Sequence, residues 1–317
     1  MKRFLVRVGV FVSLQLLILL VVMNYGSRDS TSNEYMYCLK DKYELLKTTP
    51  GPRIILVGGS SLAFGLQSPV IQDNLKRNPI NLGLHGRLGM HVLLRMVREQ
   101  VRPGDLIVLS PEHQALFENS RCTRELAIET IQLWPGCSRF LQPDFDRPLE
   151  TEIKSSSRLR EIGRCVVASV KRFQKRSQGN ESRLYRRRGF NQFGDHIAHY
   201  KVAAPESFDH RFCSIKPGVF REVADEFNRF SEFCESKHAK VLFVHCPVNQ
   251  EISRQNQETL EEMDKLIKSK IRIPIMTSWN SLLLDDDQFF DSQYHLTEAG
   301  AQRRTDSLCQ VLAPVFR

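Results

Sequence analysis

Short aliphatic runs alternate along this chain with longer stretches in which apolar residues recur every three or four positions. The first run, residues 53–57, has four consecutive aliphatics without polar alternation, which predicts a buried parallel strand. Further strands are predicted at residues 79–82, 106–109, 240–246 and 273–276. Helical spacing predicts helices from about residue 68, over 91–101, 219–237 and 257–269, and from 297 to about 312. Strands that alternate with helices in this way predict an α/β fold with a central, mostly parallel sheet.

The middle of the chain departs from this alternation. Residues 112–217 show no clear strand pattern and many Arg, Ser, Phe and Pro residues, which predicts an insertion at about 115–217 with helices near 124–133 and 159–175. A chain of 317 residues with 41% hydrophobic content suffices for one large core. We therefore predict one domain over residues 27–317, interrupted by this insertion.

The N-terminus is basic and leads into an apolar run over residues 8–23, broken only by Gly9, Ser13 and Gln15. A membrane-spanning helix needs roughly 20 apolar residues, and the core of a secretory signal needs fewer, so this run lies between the two. No Ala-x-Ala cleavage motif follows it. We interpret residues 1–26 as an uncleaved signal anchor, which predicts a membrane-anchored protein with its domain on the periplasmic or extracellular side. A cleaved signal, and hence secretion, is the alternative.

Basic residues exceed acidic ones, but the excess is local. The formal net charge is +9 and the pI is about 9.2. Residues 171–188 contain eight basic residues and one acid, Glu181. The basic residues are Lys171, Arg172, Lys175, Arg176, Arg183, Arg186, Arg187 and Arg188. Such a cluster is either a solvated surface or, outside the cell membrane, a site for anionic lipid or acidic glycan, and no nucleic acid partner is predicted.

The cysteines and histidines suggest no cofactor. Eight cysteines in an exported chain permit disulfides, but their pairing cannot be deduced from the sequence. No C-x-x-C motif supports a zinc or thioredoxin-type site, and Cys246 at a predicted strand end fits either a bridge or a buried thiol. The histidines lie on separate elements, so neither a metal nor a cofactor is predicted.

Two polar stretches carry candidate chemistry. Gly58-Gly59-Ser60-Ser61 follows the first strand, at the sheet edge where ligands collect in open α/β folds. Glycine permits the tight turn that lets a following serine project as a nucleophile, although such a serine can equally cap a helix. Near the other end of the chain, Asp291 precedes His295 by four residues, just ahead of a helix. An acid so placed can hold an imidazole in one tautomer.

These stretches and Asn-Leu-Gly-Leu-His-Gly at residues 81–86 resemble, in order, blocks one, two and five of the SGNH (GDSL-like) hydrolase superfamily. The likeness covers residues 53–110 and 240–312 and is closest to membrane-anchored bacterial members linked to alginate acetylation and teichoic-acid D-alanylation. It implies a three-layer sandwich with flavodoxin-like strand order. It also implies Ser61 as nucleophile, His295 as base, Asp291 as its orienting acid, and an oxyanion hole built from backbone N–H groups of Ser61 or Leu62 and of Gly86.

Two positions depart from the family pattern. An asparagine usually follows the third strand, where this chain has Glu112, and an ionised carboxylate cannot donate a hydrogen bond. Gln114 or His113 is then the expected third donor to the oxyanion. The family acid usually lies three residues before the histidine, where this chain has a serine, so Asp291 requires a one-residue bulge and Asp287 is the less favoured substitute.

The predicted activity is that of a serine esterase or O-acyltransferase. It would act through an acyl-serine on an ester, O-acetyl or similar, of an exported or cell-envelope polysaccharide. A second hypothesis, favoured by Glu112, is a catalytically reduced SGNH-like scaffold that binds glycan or a partner protein. A nucleotide-binding domain ranks third, because Gly58-Gly59 lacks the spaced glycines and the lysine of a phosphate loop.

Overall fold

The central sheet has four parallel strands in the order β2-β1-β3-β4. The computed structural model describes residues 3–4, 6–17, 33–149 and 184–316. The strands are β1 (Arg53–Val57), β2 (Asn78–Asn81), β3 (Leu106–Leu109) and β4 (Lys240–Phe243). Each begins within one residue of its predicted start. The predicted α/β fold with a mostly parallel sheet is confirmed.

Helices connect these strands and cover the sheet. They are α1 (Cys38–Thr48), α2 (Ser60–Ala63), α3 (Ser68–Leu75), α4 (Met90–Gln100), α5 (His113–Phe117), α6 (Arg124–Leu133), α7 (Ser138–Leu141), α8 (Pro217–Ser236), α9 (Gln250–Gln255), α10 (Gln257–Lys270) and α11 (Glu298–Leu312). The predicted helices at 91–101, 124–133, 219–237 and 257–269 agree with α4, α6, α8 and α10 to within two residues. Long, amphipathic segments with clear ends were therefore predictable.

The side chains of β1 alternate between two hydrophobic clusters, one on each face of the sheet. Ile55 and Val57 belong to the larger cluster, which includes apolar side chains of α1, α4 and α8. Ile54 and Leu56 belong to a smaller cluster with Ile71 of α3 and the apolar side of α11. Because helices bury both faces, β3 is wholly aliphatic and β1 is aliphatic after Arg53, as expected for central strands of a parallel sheet.

Two strand predictions are wrong. No strand forms at residues 273–276, the fifth predicted strand, and the fourth strand does not extend over residues 244–246. Pairing at residues 273–276 is reduced to one parallel bridge between Phe243 and Ile275. Pro274 supplies only its carbonyl oxygen, which accepts from the Phe243 N–H at 2.9 Å, because proline has no N–H to extend the ladder. Beyond β4 the chain enters a separate two-stranded parallel sheet, β5 (Val248–Asn249) with β6 (Leu283–Leu284).

The described part of the predicted insertion is not a separate unit. Asp195 is fully buried against the main domain, where its carboxylate accepts hydrogen bonds from Ser68 Oγ and Asn81 Nδ2 at 2.7 and 2.8 Å. Arg187 pairs with Asp41 of α1 at 2.6 Å, so this basic residue serves the fold. The predicted helix 159–175 and most of the basic stretch 171–188 lie outside the described residues.

At the N-terminus, residues 6–17 are helical and exposed, and residues 18–32 lie outside the description. Within the described ranges, no helix is both long enough and apolar enough to cross a bilayer. The anchor at residues 1–26 therefore stays a prediction. Seven cysteines are described, and all are free thiols, while Cys165 lies outside the described ranges.

Candidate active site

A cleft of about 480 Å³ opens beside the carboxyl ends of β1 and β3. It collects residues from six separate parts of the chain. Its lining consists of Tyr35, Met36, Ser60, Leu84, His85, Gly86, Arg87, Glu112, Gln114, Ala115, Asn119, Leu126, Glu129, Tyr185, Tyr294 and His295. Ser60 and His295, more than two hundred positions apart, thus share one cleft at the edge where open α/β sheets bind ligands.

A short loop brings Asp291 and His295 together. The Phe290 N–H donates to the His295 carbonyl at 2.8 Å and closes the loop between them. Thr297 then caps α11, because its Oγ accepts from the Gly300 N–H at 3.4 Å. The four-residue spacing is accommodated in this way, and Asp287 lies exposed on a 3₁₀ turn before the loop.

His295 is held by an aspartate and a tyrosine. Its Nδ1 lies 2.7 Å from Asp291 Oδ1, so Nδ1 carries the proton that this carboxylate accepts. Tyr185 OH donates to Asp291 Oδ2 and lies 3.2 Å from His295 Nδ1. Burial raises the pKa of Asp291, but hydrogen bonds from His295 and Tyr185 outweigh it and hold that pKa below its ordinary value. His295 Nε2 is left as the nitrogen that can take a proton from a nucleophile.

The two serines of the first motif face different surroundings. Ser60 begins α2 and lines the cleft. Ser61 is 2% exposed, and its Oγ accepts from Arg304 Nη1 at 3.0 Å. The same guanidinium donates to the Ser61 carbonyl and to Ser110 Oγ. Ser61 as nucleophile does not fit this arrangement, because its hydroxyl is buried against Arg304; Ser60 is the serine that shares the cleft with His295.

Glu112 lies directly behind the serine turn. Its side chain is buried, and Oε1 accepts hydrogen bonds from Ser60 Oγ at 3.1 Å and from the Ser61 N–H at 2.7 Å. A Cβ at Gly59 or Gly86 would collide with this carboxylate, so the two glycines leave the space that it fills. An ionised Glu112 therefore competes with a substrate oxygen for the donors of this turn.

Leu62 and Gly86 differ as oxyanion donors. The Leu62 N–H donates to the Gly59 carbonyl at 3.2 Å within the turn, and the Leu62 side chain is in the core. Leu62 is therefore not placed to serve a ligand. Gly86 lines the same cleft as Ser60.

Gln114 and His113 were the expected replacements for the missing asparagine. Gln114 lines the cleft, where its Nε2 donates to Glu118 at 3.2 Å. His113 lies off the cleft, with its Nδ1 3.3 Å from Cys246 Sγ. Burial, together with His245, lowers the pKa of His113 to about 3, so it remains neutral. Of these two side chains, only Gln114 lines the cleft.

An aromatic stack supports the imidazole of His295. The Phe64 ring lies between His295 and His196, with centroid separations of 4.1 and 4.2 Å and interplanar angles of 16° and 23°. His196 is fully buried, and its Nε2 lies 3.0 Å from the Leu184 carbonyl. Sequence reasoning found neither this stack nor Tyr185, because both depend on the return of the inserted segment to the cleft.

Acid is expected to destabilise the fold partly through His113. The pKa of His113 in the folded chain is about 3, below the ordinary 6.5, so between these two pH values the unfolded chain binds a proton at His113 and the folded chain does not. The free energy of unfolding is therefore unaffected by this group above pH 6.5. It decreases as the pH falls below 6.5, by at most about 1.4 kcal/mol per pH unit for this group. Urea unfolding at pH 8 and pH 5 should show a smaller loss for His113→Phe than for wild type. Equal losses would contradict this role.

Among the described residues, no group of three or more His, Cys, Asp or Glu is placed to hold a metal ion.

No protein-family model and no curated protein matches the chain. A solved structure described as "The structure of a putative platelet activating factor from Streptococcus pneumonia" is similar at 12% identity and a TM-score of 0.36, over 98% of this chain and 99% of that one. A TM-score this low does not establish a shared fold or activity.

Proposed function

We propose that this protein is a serine esterase or O-acyltransferase in which Ser60 is the nucleophile, His295 the general base and Asp291 its orienting acid. One observation carries the proposal: Ser60 and the Asp291-bound imidazole of His295 line the same cleft. A serine hydroxyl is a poor nucleophile until an adjacent base accepts its proton, and an imidazole with its Nδ1–H fixed by a carboxylate is suited to that task.

The reaction begins when Ser60 Oγ turns from Glu112 and attacks the ester carbonyl carbon. His295 Nε2 accepts the hydroxyl proton, and the carbonyl oxygen becomes an oxyanion. Collapse of the tetrahedral intermediate breaks the bond to the alcohol, which takes the proton back from His295, and leaves acyl-Ser60. Water or a sugar hydroxyl then attacks the acyl-serine with His295 again as base, so the acyl group is released as an acid or transferred as an ester.

The proposed oxyanion donors are the backbone N–H groups of Ser60 and Gly86. Ser60 lies at the first position of α2, where N–H groups have no helical acceptor, and Gly86 also lines the cleft. Gln114 supplies a further amide in the cleft lining. Glu112 offers no donor while it is ionised, which makes this oxyanion hole weaker than one with an asparagine.

The substrate proposal rests on the SGNH resemblance and on the predicted anchor. We propose an acylated carbohydrate of the cell envelope or an exported polysaccharide, reached from a membrane-anchored domain outside the cytoplasm. The cleft lining includes the apolar side chains of Met36, Leu84, Ala115 and Leu126, which suit an acyl group, and the exposed, charged Arg87 and Glu129. The basic stretch 171–188 is proposed to contact anionic lipid or acidic glycan.

A second candidate is a catalytically reduced scaffold that binds glycan or a partner protein. The observation that favours it is the position of Glu112, which accepts both the Ser60 hydroxyl and the Ser61 N–H. In such a protein the cleft binds an ester or a sugar without turnover.

Labelling with a fluorophosphonate probe tests the proposal. We expect the purified full-length chain to be labelled, the label to map to Ser60, and Ser60→Ala to abolish it. Ser61→Ala is the matched control one residue away, and it should keep the label if the protein is folded. No labelling of wild type would favour the scaffold, and a label on Ser61 would restore the assignment made from resemblance.

A further inference from the structure

Tyr185 is a residue of the inserted segment that reaches the cleft. Its hydroxyl donates to Asp291 Oδ2, while Asp291 Oδ1 accepts from His295 Nδ1 at 2.7 Å. Both carboxylate oxygens are therefore engaged by donors from two different parts of the chain. The tyrosine hydroxyl is also 3.2 Å from His295 Nδ1, so the three side chains form one compact cluster.

Packing fixes the Tyr185 ring as well as its hydroxyl. The ring lies edge-on to Tyr35 at 6.0 Å and against Phe64 at 5.4 Å, and Phe64 is the ring that stacks on His295. Tyr185 is 37% exposed and lines the cleft. A rigid phenol that touches both the acid and the ring beneath the base is suited to orienting them, because a small misplacement of catalytic groups is costly.

We propose that Tyr185 is a positioning residue of the active site. Its hydroxyl holds the Asp291 carboxylate in the orientation that fixes His295, and it reduces the negative charge that this carboxylate presents to the imidazole. The inference rests on the proposed function and extends it, since the serine–histidine–aspartate arrangement implied by the resemblance contains no tyrosine. The inserted segment thereby becomes part of the active site.

The electrostatic consequence has a definite sign. An ionised aspartate only accepts hydrogen bonds, so the Tyr185 hydroxyl must be the donor and must withdraw charge from Oδ2. Without it, the carboxylate would be more negative and would stabilise the imidazolium form of His295 more strongly. Because the base must be neutral to activate Ser60, the acid limb of the pH–rate profile would move to higher pH.

The test is Tyr185→Phe, measured as the rate of fluorophosphonate labelling of Ser60 from pH 5 to pH 9. We expect a plateau rate about 10-fold lower, with the acid limb moved to higher pH. Tyr43→Phe is the matched control, since Tyr43 OH also donates to a carboxylate, Glu99 Oε2 at 2.6 Å, but does not line the cleft. Its profile should coincide with that of wild type.

A double-mutant cycle separates positioning through Asp291 from a general loss of structure. In an Asp291→Asn background, Tyr185→Phe should have little further effect on the labelling rate. An equal slowing in both backgrounds, or a slower rate with an unmoved acid limb, would overturn the inference. Absence of Ser60 labelling in wild type would instead refute the proposed function, so the two failures are distinguishable.

Discussion

Replacing His295 by alanine is expected to lower the rate of ester cleavage by about 10⁴-fold or more, the scale seen when a serine hydrolase loses its base. His295 is the histidine that shares the cleft with Ser60 and is held by an acid, so no other described group is arranged to replace it in the same way. The measurement is hydrolysis of short p-nitrophenyl esters by the purified chain, with the probe-labelling rate as a second readout.

His210→Ala is a matched control for this substitution. His210 also lies near an aspartate, with Nε2 3.5 Å from Asp286 Oδ1, but it is not part of the cleft lining. It should retain the wild-type rate. A His295→Ala protein that is folded and still within tenfold of wild type would exclude His295 as the base.

Replacing Glu112 by glutamine is expected to raise kcat/KM by about 10²-fold, which is the scale of one oxyanion donor. Glutamine has the shape of glutamate and keeps an oxygen for the Ser60 hydroxyl and the Ser61 N–H. It also removes the negative charge next to the developing oxyanion and brings an NH₂ group to the space beside Gly86. The same p-nitrophenyl assay measures the change.

The direction of this change separates two roles of Glu112. If its carboxylate is the base that takes the Ser60 proton, Glu112→Gln abolishes turnover. Glu129→Gln is the control, because it removes a carboxylate at the exposed rim of the same cleft without contact to the serine turn. We expect that variant to stay within about twofold of wild type, as is usual for an exposed charge.

Sequence patterns predicted those parts of the fold whose causes are local. The buried runs that became β1 and β3 need only their own aliphatic side chains, and α6 and α11 have a threonine cap at their starts. Residues 273–276 had the aliphatic composition of a strand, but Pro274 and the position at the sheet edge left one bridge there. Edge pairing depends on neighbours that a single segment does not reveal.

The part of the site that lies on one loop was also predictable from the local sequence. Asp291 and His295 lie four residues apart, so one loop carries the whole pair. Which of Ser60 and Ser61 is open to the cleft could not be predicted from the local sequence. It depends on Arg304, 243 residues from Ser61, which donates a hydrogen bond to the Ser61 hydroxyl. Tyr185 lies in a stretch without periodicity, and nothing near it in sequence indicates that it reaches Asp291.

Arg304 has a consequence for how the protein matures. Its guanidinium, carried by α11, binds the Ser61 carbonyl at 2.5 Å and the Ser110 hydroxyl at 3.0 Å, and so joins the turns that follow β1 and β3. Because α11 follows all four strands of the central sheet in the chain, these two turns can be joined in a nascent chain only after the whole sheet has been synthesised.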